Sequence, residues 1–203
     1  MAEVATIYRL YGAAGDKYSL KDKIGRFCTQ DSDPGTNNPC KIPPIGQVYD
    51  SYWVTDCLGI TGDYTQVRDI YIHGDGGFAR DWGLDHASGG GLFVGVKDAG
   101  DHGLPIDVAL HGSNQYAQAG GTPGTKGYAI DDAVSGHPYY NGETEKIRDF
   151  DECDSGAPLL IDSGPYAAGG FYSKAWVMAL RTVPTSTYGS KTPKSVIVTY
   201  NIF

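Results

Sequence analysis

Apolar residues in this chain recur at every second position in short runs, and no window carries the i, i+3, i+4 stripe of a helix face with its caps. That periodicity constrains the fold more than any other feature, because a period of two buries one face of a pleated strand and is useless to a helix. Ser51 to Thr61 is the strongest example, with Trp53, Thr55 and Cys57 alternating with Tyr52, Val54, Asp56, Leu58 and Ile60. Ser195 to Phe203 sets Val196, Val198, Tyr200 and Ile202 against Ile197, Thr199 and Phe203, and Ser173 to Val183 sets Trp176, Met178 and Leu180 against Ala175, Val177 and Ala179. Ala2 to Tyr11, Ile24 to Thr29, Tyr64 to His73, Leu92 to Val96, Ile106 to Leu110, Lys126 to Ile130, Lys146 to Phe150 and Pro158 to Asp162 read as further strands.

Glycine supplies the punctuation. The chain has 29 glycines in 203 residues, placed mainly at the ends of these runs and in the connections between them. Many short strands with turn signals between them predict an all-β sandwich or barrel with little helix. The connections over 74–90 and 112–142 are long for a meander and suit a jelly-roll-like β-sandwich with long Gly-rich loops. No internal repeat or linker interrupts the pattern, so residues 1–203 are expected to form one domain.

The formal net charge of −8 argues against nucleic acid and against an anionic membrane surface as partners. The segment Met1 to Ile7 lacks the basic and apolar regions of a signal peptide, so assembly in the cytoplasm is the expectation. Cys28, Cys40, Cys57 and Cys153 include no C-x-x-C pair, which leaves buried thiols or a disulfide among the first three as the readings.

Candidate chemistry is sparse. Asp154-Ser155-Gly156-Ala157-Pro158-Leu159 resembles the nucleophile loop of trypsin-like serine proteases, but Cys153 and Ala157 replace two of its glycines. None of His73, His86, His102, His111 and His137 stands in that family's histidine context, so a Ser-Gly turn explains the segment and no catalytic residue is assigned. Asp149, Asp151, Glu152 and Asp154 place oxygens at near-alternating positions and are the weak calcium candidates, with Asp31, Asp33 and Asn37 as a looser set. Asp98/Asp101 and Asp131/Asp132 read as turn residues rather than hydrolytic pairs. No cofactor is expected.

A longer pattern runs through Arg26-Phe27-Cys28-Thr29, Pro39-Cys40-Lys41-Ile42-Pro43, Ser51-Tyr52-Trp53 and Cys57 to Gly62. It continues through Val94 to Gly103, Gly136 to Tyr140, Ser155 to Leu160 and Thr199-Tyr200-Asn201. This pattern resembles β-rich virion structural proteins of tailed viruses. The resemblance implies a non-enzymatic capsid decoration or tail component, located in the virion. Its expected partners are copies of itself and another virion protein such as a major capsid or tail protein. Both terminal runs are strand-like, so Val4, Ile7, Tyr8, Val198, Tyr200 and Ile202 are the expected assembly contacts. A subunit of an extracellular filament built by strand exchange and a carbohydrate-binding sandwich are the alternatives.

Overall fold

The computed structural model describes residues 3–11, 16–20, 25–30, 38–96, 120–137 and 140–203. The strand expected over Ile106 to Leu110, the carboxylates Asp31, Asp33, Asp98 and Asp101, and His102 and His111 lie outside them.

Two antiparallel sheets form the molecule. The larger runs in the order β2 (Asp16–Ser19), β1 (Val4–Tyr11), β4 (Val54–Thr61), β13 (Trp176–Thr182), β3 (Tyr49–Asp50), β8 (Lys126–Gly127) and β7 (Gly121–Thr122). Off that path, β12 (Phe171–Tyr172) pairs with β4, and β6 (Gly91–Gly95) pairs with both β13 and β9 (Ile147–Asp149). The smaller sheet centres on β5 (Gln66–Gly74). β10 (Leu159–Asp162) and β11 (Tyr166–Ala167) share one edge of β5, and β14 (Val196–Ile202) takes the other. The architecture is all-β and sandwich-like, as the period-two runs predict.

Each face of the larger sheet is covered. Leu58, Ile60, Leu92, Val94, Trp176 and Met178 point inward and pack on Val67, Ile70, Ile72 and Ile161 of the smaller sheet. On the opposite face Val177 and Ala179 join Tyr52, Trp53, Ile130 and Tyr140 in a second core. Burial on both faces explains why β4 is buried from Thr55 through Ile60 without alternation.

In β5 the alternation breaks between Val67 and Ile70, which are three apart yet both fully buried. Asp69 between them has φ 54°, a left-handed conformation that inserts one extra residue and restores the inward phase. The pairing with β14 records this bulge as a register shift between Thr199 and Asn201, and β10 carries an irregularity of its own, one extra residue between Leu160 and Asp162.

The long connection after β5 is not an open loop. It holds one helical turn, α1 (Phe78–Asp81), and a tight turn over 86–88. Phe78 packs on Phe150 and Trp82 at ring distances of 5.3 and 5.2 Å. Gly74 permits this, since a Cβ there would lie 2.4 Å from the Phe78 ring. Of the Ile24 to Thr29 run the structure describes residues 25–29; among the described residues they make one bridge, Cys28 to Pro39, and Pro39 has no N–H with which to extend a ladder.

Candidate functional site

The acidic segment that follows β9 is structural. Asp149 accepts from the Asp151 amide through Oδ1, and its Oδ2 lies 2.5 Å from His86 Nε2. Asp151 turns the other way and caps α1, accepting from the amides of Phe78 and Ala79 at 2.6 and 2.9 Å. Asp154 accepts from Gly156 and Ala157 at 2.7 and 3.0 Å in a side-chain turn. Glu152 is exposed. Three of the four calcium candidates, Asp149, Asp151 and Asp154, thus each accept from a different backbone segment. Among the described residues no three metal-ligating side chains gather at one point.

The same hydrogen bonds bear on Ser155. It is exposed; the two amides after it are given to Asp154, and the amide of Cys153, two residues before it, is given to the Phe150 carbonyl at 3.1 Å. Among the described histidines, His86 has a carboxylate at its ring nitrogen, that of Asp149.

Cys28, Cys40, Cys57 and Cys153 are all free thiols. Burial pushes the Cys40 thiol up to about 12, so it stays protonated and unreactive at neutral pH. Burial, aided by the hydrogen bond to Asp162, also raises the Tyr166 phenol well above its ordinary value. Asp162 is buried and accepts from Gly164, Tyr166 and Lys174, tying β10 to β11 and to the approach of β13. It is a fold-holding hub rather than a site.

The terminal strands differ from expectation in which side chains they present. In β1 only Val4 is well exposed among the three expected contacts. Ile7 packs against the inner core, and Tyr8 meets the Tyr172 ring edge-on at 5.6 Å. β1 is bonded to β4 along its length and to β2 from Tyr8 to Tyr11. In β14 the expected contacts Val198, Tyr200 and Ile202 face the core, and Ile197, Thr199 and Asn201 alternate outward. β14 bonds to β5 alone, so among the described residues its second edge has no strand partner. Ile197 is 39% exposed and Phe203, just past the strand, is 58% exposed. Arg68 lies over the Phe203 ring at 4.8 Å, and Asn201 donates to Asp69 at 2.9 Å.

One charged pair escaped the sequence reading. Arg9 of β1 and Asp56 of β4 stand opposite each other and form two hydrogen bonds of 2.8 and 3.0 Å, both side chains buried. A signal was available: each is the lone charge in the inward row of its own strand, and the two signs are opposite.

Tyr128, Tyr188 and Phe203 are the exposed aromatic residues among those described, on three segments of the chain. No helix among the described residues is long and apolar enough to cross a membrane. No family model, curated protein or solved structure matches the chain.

Proposed function

We propose that the protein is a non-enzymatic structural subunit of a virus particle, a capsid decoration or tail component, that assembles with copies of itself through the edge of β14. The observation that carries this reading is the edge of the seven-residue strand β14 that has no strand partner among the described residues, flanked by the exposed apolar side chains of Ile197 and Phe203. An open edge of this length presents a row of amide donors and carbonyl acceptors that a second strand completes. The virion setting rests on the sequence resemblance, and the second partner is another capsid or tail protein.

Light scattering across a concentration series tests the assembly. The wild-type chain is expected to form a defined oligomer, and the double variant Ile197→Lys, Thr199→Lys is expected to be monomeric, because charges on an edge strand oppose further pairing. A wild-type chain that stays monomeric at high concentration, or a double variant that assembles normally, overturns the reading. Negative-stain microscopy of the assembled material separates a lattice or short tube from an open filament, which is the alternative use of the same edge.

A further inference from the structure

β14 is bonded to β5 through alternate residues. At its far end Phe203 exchanges two bonds with Gln66: its N–H reaches the Gln66 carbonyl at 3.0 Å, and its carbonyl accepts from the Gln66 amide at 3.2 Å. At the other end the Ser195 carbonyl accepts from the Asp75 amide at 3.4 Å. The extra residue of the bulge belongs to β5, so alternation along β14 is unbroken between these ends. The odd-numbered residues therefore turn their N–H and C=O groups toward β5. Val196, Val198, Tyr200 and Ile202 turn theirs the other way, to the edge that has no strand partner among the described residues. Gly74, opposite Val196, agrees with this phase: its N–H points away from β14 and donates to the Cys153 carbonyl at 2.9 Å.

In an antiparallel pair, hydrogen-bonded residues stand opposite each other with the backbone groups of both turned inward. Even-numbered residues of β14 must then face even-numbered residues of a second β14. A two-fold axis through Thr199, perpendicular to the sheet, meets this condition along the whole strand. Val196 lies opposite Ile202 of the second copy, and Val198 lies opposite Tyr200 of the second copy. All four residues then use their donor and their acceptor. Sliding the copies by one hydrogen-bonded pair leaves Val196 or Ile202 outside the paired region. The same axis keeps the core-facing rows of both copies on one side, so the two smaller sheets join into one.

The side chains suit that register. On the outward row Thr199 meets Thr199, and Ile197 meets Asn201; on the inward row valine meets tyrosine or isoleucine. Threonine pairs and aromatic pairs with β-branched residues are favourable cross-strand combinations. The chain has a formal net charge of −8, yet Val196–Ile202 contains no charged residue, so the pairing opposes no like charges. It also lacks the lysine and proline that blunt edge strands.

We infer that the protein associates as a closed two-fold dimer in which the β14 strands of two copies pair antiparallel about Thr199. The inference rests on the assembly reading above and adds its symmetry and register. A two-fold contact uses the same edge of both copies and is then complete, so larger assemblies grow from the dimer through other surfaces.

The test is disulfide cross-linking of the full chain in air with copper–phenanthroline, beside light scattering of the reduced protein. Non-reducing electrophoresis reads the mass, and mass spectrometry of the linked peptides separates engineered links from links at the native cysteines. Opposed residues of a pair that is not hydrogen-bonded have Cα atoms about 4.5 Å apart, within disulfide reach. Thr199→Cys is expected to shift most of the chain to a dimer linked through position 199. Ile197→Cys alone is expected to give no 197–197 link, and a mixture of Ile197→Cys and Asn201→Cys chains is expected to give the 197–201 link. All three positions are exposed, and the mixture reads the register independently should Thr199→Cys fail to fold. Association without the 199–199 and 197–201 links, or with a 197–197 link, overturns the two-fold register and leaves assembly through β14 standing. A chain that stays monomeric at high concentration overturns both.

Discussion

The two sheets solve the burial problem differently. Both faces of the larger sheet are covered, so β4 reads as an unbroken buried run, and β13 is continuously buried from Trp176 to Ala179. Among the described residues the smaller sheet has one covered face, so β14 alternates strictly between half-buried and exposed positions. The difference teaches where the molecule invests in stability and where it keeps surface available. Substitutions in the larger sheet should register in folding. Substitutions on the outward side of the smaller one should register mainly in association.

The largest expected effect is Asp56→Ala. It leaves the Arg9 guanidinium buried without its counter-charge, and loss of one partner from such a pair costs about 3–5 kcal/mol. Urea denaturation should show a matching fall in midpoint, and a loss below about 1 kcal/mol would mean that β1 does not depend on this pair for its seat on β4.

Next is pH. His137, beside Trp53 and Tyr140 on the covered outer face, is buried, and burial lowers its pKa from 6.5 to about 4. The unfolded chain therefore takes up a proton between those values before the folded chain does. The stability contributed by keeping this ring neutral is fully present above 6.5 and is lost as pH falls toward 4, on the order of 2–3 kcal/mol. His137→Phe should flatten that part of the stability profile. A profile unchanged by the substitution would place the acid sensitivity elsewhere.

Smaller still is Val198→Ala on the inward side of β14. Removing two half-buried methyl groups should cost about 1 kcal/mol in thermal or chemical unfolding. The smallest folding effect belongs to Ile197→Lys on the outward side, expected within about 0.5 kcal/mol of wild type. If Ile197→Lys destabilises more than Val198→Ala, the outer face of the smaller sheet is covered, and the contrast between the sheets fails.

Much of this architecture was legible because alternation survives in the chain. The runs around β4, β5, β6, β13 and β14 each mark a real strand to within a few residues. The helical turn at Phe78 was not legible, since its stabilising cap comes from Asp151, far along the sequence. The bulge at Asp69 was hidden for a related reason: a single left-handed residue shifts the phase of β5 without changing its composition. The inward and outward rows of β14 were separable in the sequence, but which row meets the core depends on the register with β5. The acidic segment illustrates the opposite hazard, because spacing places oxygens near one another without saying which amides claim them.

The placement of β14 also orders events during synthesis. Chains emerge N-terminal end first, so β5 leaves the ribosome long before the strand that completes its second edge. Through that interval the nascent chain displays an open β5 edge. Two chains growing side by side on one message can each supply the other's missing strand, in the same register that the finished monomer uses.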